Sequence, residues 1–461
     1  MDLLKSNRFE FLKKVPEYKI LIICITFGVI LKLKYVFQES LWPDEALYLY
    51  IARNLADNPL NLFDISGQLF YKSPPFLMYL ISAFADIPFL EFDQISRLLI
   101  ALMATGLIVV TYFTGTKIFN PVVGMVAGAL IAACPLTNWI GVRILTDIPV
   151  TFFIYLAICM LAYGKTRLFY IFAVLSVLTK YTAFPVLFLP FLMKLKPGKW
   201  KYLYLGLFVS ILIFVTTKSY INLPGGWINY FYNFFGYPNI SQLVGESRYF
   251  LGFFVIFFAI VGFFITIKEE KYSAVFHWFV IFGIFRIFLP WVIFRVSRYT
   301  LPLYPALFIF AAYGCYQTGK IVASNWPAYK TLAFLFFVIA ISSVLFNHTL
   351  KGFNLLSQTE NSFVGFKDVA RFIKTQPKPH VLATASPRQM KYFGPEIDVY
   401  DIGSNITEER FKIYLEKNNI NYFLIDFWSP HLPRWCQSFD YQKHGYQLIY
   451  HQKNIYLWEK V

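Results

Sequence analysis

Long apolar segments recur along the chain from Leu21 to Phe346, and they constrain its fold more than any other feature. The segment from Lys19 to Phe37 has the length of about 20 residues that a helix needs to cross a bilayer. Only 15% of the 461 residues are charged and the mean hydropathy is +0.52. In a typical soluble domain, by contrast, about a quarter of the residues are charged. The sequence therefore predicts an all-α polytopic membrane protein.

The apolar segments and the basic loops between them predict a topology. We predict about 11 transmembrane helices, near residues 20–37, 97–118, 121–136, 148–163, 168–179, 182–193, 202–217, 250–267, 273–290, 300–317 and 329–346. The N-terminus and the loops at Lys117, Lys165, Lys194, Lys268 and Lys320 carry basic residues, which predicts that they lie in the cytoplasm. An odd number of crossings then places the C-terminus outside the cell membrane.

The net charge of +16 does not indicate a nucleic-acid-binding protein. The basic residues cluster in short loops between apolar segments, where membrane orientation and contact with anionic lipid headgroups explain them better. Four of the five cysteines lie in apolar segments and only Cys436 lies in the polar tail. This distribution predicts neither a disulfide framework nor a cysteine-based metal site.

The first outer loop, residues 38–96, contains a further apolar stretch from Pro74 to Leu90. Asp86, Pro88 and Glu91 interrupt its far end, and a crossing here would move Lys117 to the outside. We therefore expect a membrane-surface or re-entrant helix rather than a span.

The composition changes near Gly352, so we predict a transmembrane domain over residues 1–350 and a small extracytoplasmic α/β domain over residues 351–461. His380–Ala385 and Tyr422–Phe427 have the apolar character of short buried strands, and Glu408–Asn418 is amphipathic at helical spacing. Phe363, Phe366, Ala370 and Ile373 also recur at helical spacing.

The polar residues predicted to meet on the outer face are the candidates for chemistry. Asp44 and Glu45 follow the first span in the sequence Leu41-Trp42-Pro43-Asp44-Glu45, at a depth where charge is costly and usually functional. The other candidates are the acidic residue Asp147 and the cationic or aromatic residues Lys72, Arg97, Arg143, Lys180, Arg298 and Tyr299. A carboxylate can act as general base on a hydroxyl, and cations or a divalent metal can stabilise a departing phosphate.

Several of these residues also have plainer interpretations. Asp147 precedes Ile148-Pro149 and could cap a helix that starts there. Arg143 and Lys180 could be interface anchors whose charged ends reach toward the membrane surface. Arg298 and Tyr299 could belong to an interfacial belt.

The combined motifs resemble the GT-C membrane glycosyltransferases, in the branch that contains protein O-mannosyltransferases and the lipid A aminoarabinose and galacturonic acid transferases. The shared features are Pro-Asp-Glu after the first span, a Pro-Pro surface helix, an Arg some twenty residues later, and Arg-x-x-x-Asp-x-Pro over Arg143–Pro149. Ser176–Lys180 and Arg298–Pro305 are similar to further signatures of the family. The resemblance extends over about residues 20–310.

The resemblance implies a sugar donor carried on a polyprenyl phosphate and an acceptor hydroxyl on a protein, lipid or glycan at the outer face. It implies transfer with inversion at the anomeric carbon, with Asp44 as the essential carboxylate and Asp147 as the second acidic position. Glu45 would be a supporting or metal-facing neighbour. An outer C-terminal domain is also common among the relatives, in agreement with residues 351–461.

One departure from the family pattern concerns a metal ion. Relatives commonly have Glu-Lys-Pro-Pro where this chain has Lys72-Ser73-Pro74-Pro75, so a carboxylate that can hold a metal is missing. Binding of a divalent metal therefore remains one alternative, with Asp44, Glu45 and Asp147 as the candidate ligands. Trp-Trp-Asp, the signature of the related oligosaccharyltransferases, is absent from the sequence, which argues against N-glycan transfer.

Two other functional classes remain alternatives to a transferase. A multi-pass transporter or lipid flippase would place its ionisable residues near the middle of the bilayer, often with two repeated halves. A protein that binds a lipid-linked sugar without transferring it would share the donor site. The transferase hypothesis requires that Asp44 stand beside Asp147 at the mouth of an outward-facing apolar cleft.

Overall fold

The structure is a computed structural model that describes residues 17–70, 73–195, 199–200, 202–210, 245, 248–288, 297–377, 379–403, 406–429 and 431–461. It divides into two compact units. We call Met1–Leu33, Ile100–Val142 and Thr146–Asn354 the bundle unit, because its described elements are helical. We call Lys34–Leu99, Arg143–Leu145 and Leu355–Val461 the sheet unit.

The elements used below are numbered in chain order. The α-helices are α1 (Glu17–Val36), α2 (Pro43–Asp57), α3 (Phe76–Ser82), α4 (Phe92–Ile118), α5 (Pro121–Ala133), α6 (Pro135–Ile140), α7 (Asp147–Ala162), α8 (Thr166–Thr179), α9 (Leu189–Lys194), α10 (Gly252–Lys268), α11 (Ala274–Phe288), α12 (Tyr304–Asn325), α13 (Lys330–Glu360), α14 (Phe366–Thr375), α15 (Pro387–Phe393) and α16 (Glu408–Lys417). The strands are β1 (Val381–Thr384), β2 (Asp398–Asp401), β3 (Tyr422–Asp426), β4 (Tyr446–Gln452) and β5 (Ile455–Lys460).

Two described helices are long and apolar enough to cross a membrane. These are α4 and the helix Pro327–Glu360, which includes α13, and each has a window with a mean hydropathy of 2.0. None of that window in Pro327–Glu360 is buried inside the protein. Large apolar side chains such as Leu332, Phe336 and Ile339 are instead exposed along it. An exposed apolar surface of this length suits contact with lipid.

The described helices lie close to the predicted apolar segments, but the count of about 11 spans is not confirmed. Helix α13 continues to Glu360, beyond the predicted span end at residue 346. The predicted span 182–193 is not one α-helix, because Tyr181–Phe188 forms a 3-10 helix that contains Pro185. Proline lacks the amide hydrogen that an α-helix needs, and only the short helix α9 follows. The predicted span 202–217 is described only in part.

Glycines allow α10 and α12 to pack closely in the bundle unit. A methyl group at Gly262 would overlap the carbonyl oxygen of Phe310, and a methyl group at Gly314 would overlap the carbonyl oxygen of Phe258. Only hydrogen fits at these two positions. Small residues at a helix contact are typical of membrane helices, whose association depends on close packing of backbones.

A short 3-10 helix, Ser297–Leu303, leads into α12 and carries the candidate residues Arg298 and Tyr299. Its end is held by three hydrogen bonds. The hydroxyl of Tyr155 donates to the carbonyl of Pro302 (3.2 Å), the indole of Trp278 donates to the same carbonyl (2.9 Å), and the amide of Ala306 donates to the Tyr155 hydroxyl (2.9 Å).

The C-terminal part of the sheet unit is a five-stranded mixed sheet with the order β2-β1-β3-β5-β4. The pairs β1–β2 and β1–β3 are parallel, whereas β3–β5 and β4–β5 are antiparallel. Alternate residues face opposite sides of the sheet. On one side Leu382 and Leu424 join a core that includes α14 residues, and on the other Phe423 joins a core with Phe411 of α16. The predicted β1, β3 and α16 are confirmed.

Residues 38–96, predicted to be the first outer loop, contain α2 and α3, which contact each other. Within the stretch Pro74–Leu90 only the seven residues of α3 are helical. Seven residues rise about 10 Å, too little to cross a bilayer, so the stretch is not a transmembrane helix.

Candidate functional site

The two adjacent carboxylates, Asp44 and Glu45, lie in the first turn of α2. Trp42 is the N-cap residue and Pro43 is the first helical residue, a position that proline favours because it needs no hydrogen-bonded amide there. The carboxylate of Glu45 reaches back and accepts the Trp42 backbone amide (2.9 Å). This is one half of a capping box, and negative charge in a first turn is stabilised by the helix dipole.

Glu45 is completely buried and every contact of its carboxylate is with a donor. Its Oε2 accepts from Nη1 of Arg143 (3.2 Å) in addition to the Trp42 amide, and its Oε1 accepts from the amide of Ile144 (2.9 Å). The Nε of Arg97 lies 3.8 Å from Oε1. Glu45 therefore joins α2, α4 and the segment Arg143–Leu145 within the sheet unit.

The two arginines around Glu45 are also fully buried. Arg97 donates to the carbonyls of Gln38 and Ser40 and pairs with Asp93 (3.2 Å). Arg143 donates to the Ser40 hydroxyl (3.1 Å) and to the Thr359 carbonyl (3.3 Å), and its guanidinium lies over the Trp42 ring (4.9 Å). Both were predicted to bind substrate, and that role stays a prediction; in the structure their donors contact Glu45 and nearby backbone carbonyls.

Asp44 has a different environment although it is the next residue along the helix. Its side chain is 36% exposed, and its Oδ1 accepts from Nη1 of Arg388 at 3.2 Å. Arg388 is in the first turn of α15 and is 30% exposed. Of the two predicted catalytic carboxylates in this turn, only Asp44 is open enough to reach a substrate.

Sequence reasoning did not identify Arg388. A signal was present, since the Pro387-Arg388 pair follows the strand that was predicted at His380–Ala385. Residues at the carboxyl end of parallel strands often bind ligands in α/β sheets. The missing information was the contact between α15 and α2, which joins residues 344 positions apart.

Asp147 lies in a second cluster, within the bundle unit. It is the first residue of α7, with Thr146 as the N-cap residue, so Asp147 is not itself the cap. Its Oδ1 accepts from Nζ of Lys180 at 2.7 Å, and its Oδ2 lies 3.7 Å from Nε of Arg298. The ammonium of Lys180 lies 4.4 Å from the centre of the Tyr299 ring. We call these four residues the Asp147 cluster.

The Asp147 cluster is nearly buried but not closed. Asp147 is 4% exposed, whereas Arg298 and Lys180 are 14% and 18% exposed. Asp147 begins α7, Lys180 is the C-cap residue of α8, and Arg298 lies in the 3-10 helix before α12. Three separate elements therefore supply the cluster. The structure thus brings together four of the predicted site residues. Lys72 lies outside the described residues, and the predicted proximity of Asp44 to Asp147 stays a prediction.

Solved structures with the same architecture are known. The oligosaccharyltransferase AglB of Archaeoglobus fulgidus, in complex with an inhibitory peptide and a dolichol-phosphate, matches with a TM-score of 0.60 and 11% identity over 90% of this chain and 70% of its own. ArnT of Cupriavidus metallidurans bound to undecaprenyl phosphate matches with a TM-score of 0.57 and 13% identity over 95% of this chain and 98% of its own. These neighbours are GT-C glycosyltransferases. The predicted GT-C fold is confirmed.

The likeness is one of fold, since the identities are low. No protein-family model and no curated protein matches the sequence. The Archaeoglobus oligosaccharyltransferase has also been solved in complex with zinc and sulfate, and that structure matches with a TM-score of 0.57 and 12% identity over 88% of this chain and 68% of its own.

The carboxylates predicted as metal ligands do not fit a metal site as the structure places them. Both oxygens of Glu45 are engaged by donors, Asp147 is paired with Lys180 and Arg298, and Asp44 is paired with Arg388. A cation beside each carboxylate already compensates its negative charge, and a divalent metal would have to bind against the repulsion of that cation. In the described part of the chain no group of three or more His, Cys, Asp or Glu residues could hold a metal ion.

Proposed function

We propose that the protein is an inverting membrane glycosyltransferase. It transfers one sugar, a hexose or a pentose, from a polyprenyl-phosphate donor to a hydroxyl of a protein, lipid or glycan on the outer face of the cell membrane. The observation that carries the proposal is the contrast in the first turn of α2. A fully buried Glu45 fixes the turn, and a partly exposed Asp44 projects from it. The fold shared with AglB and ArnT supports the donor class.

The proposed reaction is a single displacement. The acceptor oxygen forms a bond to the anomeric carbon of the sugar while the bond from that carbon to the phosphate oxygen breaks. The proton of the acceptor hydroxyl passes to the Asp44 carboxylate, and the bonding electron pair leaves with the polyprenyl phosphate. Attack opposite to the leaving group inverts the anomeric carbon, as expected when one carboxylate serves as general base.

Glu45 has a supporting role in this proposal. Its contacts with Trp42, Ile144 and Arg143 fix the start of α2, and the start of α2 fixes the direction in which Asp44 points. Such a supporting shell is what keeps a catalytic group within a fraction of an ångström of its working position. Arg97 and Arg143 take part in the same support rather than in donor binding.

The proposed role of the Asp147 cluster is to hold the donor phosphate and stabilise its charge as it departs. Lys180 and Arg298 are cations with part of their surface open, and Asp147 fixes both of them. Preorganised cations lower the barrier most where negative charge develops during the reaction. The Tyr299 ring lies 4.4 Å from the Lys180 ammonium, a distance that suits a cation–π contact. Lys72 is a further proposed contact for the phosphate.

The proposed function is tested by incubating the purified protein with undecaprenyl-phosphate-linked and dolichyl-phosphate-linked sugars and a membrane extract as the source of acceptor. We expect release of polyprenyl phosphate together with a glycosylated product of inverted configuration. Asp44→Asn should abolish both while the protein stays folded. The matched control is Glu91→Gln, since Glu91 is another exposed carboxylate of the sheet unit that is paired with a cation, Lys367.

Two results of this assay would count against the proposal. Full turnover by Asp44→Asn would remove the proposed base. Movement of the lipid-linked sugar across vesicle membranes without a glycosylated product would indicate the transporter or flippase instead. The proposed orientation is tested separately with reporter fusions at the C-terminus, where alkaline phosphatase should be active because the last domain lies outside.

A further inference from the structure

The contact between α2 and α15 gives Asp44 a partner from the C-terminal domain. We infer that Arg388 is a positioning residue for the Asp44 carboxylate, which makes the C-terminal domain part of the catalytic apparatus. This inference rests on the proposed function. It goes beyond that function because it assigns a catalytic contribution to a residue from the water-soluble end of the chain.

The Arg388–Asp44 pair contributes too little to the stability of the fold for stability to be its main role. The two side chains are 30% and 36% exposed, and ion pairs as open as this one contribute at most about 1 kcal/mol to stability. What the Arg388 guanidinium supplies is a directional, charge-assisted hydrogen bond of 3.2 Å from Nη1 to Oδ1, which favours one orientation of the Asp44 carboxylate. A general base gains from such a constraint, since its reactive oxygen must meet the acceptor proton at a defined angle.

The residue two positions before Arg388 is hydrogen-bonded to the ends of two strands. The hydroxyl of Ser386, two residues earlier, donates to the buried carboxylate of Asp426 at the end of β3 (3.2 Å). The amide of Ser386 donates to the Thr384 hydroxyl at the end of β1 (3.1 Å). The start of α15 is therefore fixed to the carboxyl ends of two neighbouring parallel strands.

A second contact keeps α15 against α2. Arg53, later in α2, donates to the carbonyl of Tyr392 (3.3 Å), and its guanidinium lies 4.3 Å from the centre of the Tyr392 ring. Two arginines, one from each helix, thus connect the pair of helices at separate points. Two contacts at separate points favour one arrangement of the two helices, with Arg388 beside Asp44.

The kinetic test compares Arg388→Gln and Arg388→Lys with the wild-type protein in the transfer assay. Misplacement of a catalytic group by about 1 Å can cost roughly 100-fold in rate, so we expect kcat of Arg388→Gln to fall about 10- to 100-fold. The KM for the lipid-linked sugar should change less than about twofold, because the donor is bound elsewhere in the proposal. Arg388→Lys should recover part of kcat, and added guanidinium ions should partly rescue Arg388→Ala.

The matched control for these variants is Lys374→Gln. Lys374 and Glu396 form an exposed ion pair of 2.7 Å in the same domain, and neither residue belongs to α2 or α15. This control should keep wild-type kcat. If Arg388→Gln also kept wild-type kcat while Asp44→Asn was inactive, the inference would be overturned and the proposed function would stand.

A second measurement does not depend on turnover. Carbodiimide labelling of Asp44, read by mass spectrometry, should be faster in Arg388→Gln than in the wild type, because the guanidinium engages Oδ1. Equal labelling rates would show that the pair does not form in solution, and the inference would fail. A wild-type protein that transfers no sugar yet shows the labelling difference would refute the proposed function and keep the contact.

Discussion

The adjacent carboxylates of α2 provide the sharpest test of how this site is built. Their exposures differ, 0% for Glu45 and 36% for Asp44, so their replacement should have opposite consequences. We predict that Glu45→Gln destabilises the protein around α2. We predict that Asp44→Asn leaves stability almost unchanged and removes activity. Both changes replace a carboxylate with an amide of the same shape, so steric effects cancel in the comparison.

The size of the Glu45 effect follows from its contacts. Glutamine keeps one acceptor oxygen but places an NH₂ group against donors, and it removes the negative charge beside the buried Arg143. Breaking a buried ion pair by removing one partner costs about 3–5 kcal/mol, because the remaining charge has lost its compensation. For Asp44→Asn the corresponding loss is at most about 1 kcal/mol, the value of an exposed pair.

Hydrogen exchange measured by mass spectrometry on the purified protein in detergent is the appropriate assay. A membrane protein with two units need not unfold in one step, whereas exchange reports the opening of each segment. Since about 1.4 kcal/mol corresponds to a tenfold change, Glu45→Gln should speed exchange in Pro43–Asp57 roughly 100- to 4,000-fold. Exchange in α10 should not change, which provides an internal reference.

An inactive Glu45→Gln variant that exchanges like the wild type would contradict the supporting role of Glu45. Glu45 would then act in the chemistry itself, as its place beside Asp44 in the sequence first indicated. Faster exchange in Asp44→Asn by more than about tenfold would also contradict the assignment, since an exposed pair is too weak to produce it.

Three further predictions concern other parts of the chain. Burial raises the pKa of Asp426 to about 6, so the folded protein favours its protonated form. The stability that protonation contributes is fully present below about pH 4 and is lost, by roughly 3 kcal/mol, as the pH rises through about 6. The difference in unfolding free energy between Asp426→Asn and the wild type should change by that amount over the same pH range. Gly314→Ala should lower the detergent melting temperature by several degrees because its methyl group overlaps the Phe258 carbonyl, whereas Gly319→Ala, whose nearest neighbour lies at 3.5 Å, should not. Lys180→Gln should raise the KM for the lipid-linked sugar about tenfold or more and leave folding intact, and an unchanged KM would remove Lys180 from the donor site.

The sequence predicts the elements of this protein better than their contacts. Apolar length locates the helices, and short apolar runs locate β1 and β3, because both signals are local. Strand β2 was not predicted, since its four residues, Asp398–Asp401, include two aspartates and only one fully apolar side chain. The predicted span 182–193 was expected to be one helix, but its prolines favour a 3-10 helix, Tyr181–Phe188, followed by the short α-helix Leu189–Lys194.

The residue types at the candidate site were also predictable, but which of them are buried was not. Arg97, Arg143 and Glu45 looked like members of an open site because each is a charged residue near a predicted helix end. In the structure they neutralise one another in a buried network. A charged residue near a predicted helix end can be either an exposed site residue or a member of a buried network. Exposure depends on contacts between residues that are far apart in sequence, such as Arg143 and Glu45.

The geometry of an α-helix explains why the two neighbouring acids at the start of α2 have different environments. Successive side chains project about 100° apart, so a turn that directs Glu45 into the protein must direct Asp44 to a different side. The ring of Pro43 fixes its φ angle at the first helical position, which restricts the backbone directly before Asp44 and Glu45. An ordinary apolar residue at position 45 could bury the turn, but it could not accept the amides of both Trp42 and Ile144. The buried contacts of Glu45 therefore fix the direction in which Asp44 leaves the helix. Arg388 then restricts the rotation of the Asp44 side chain.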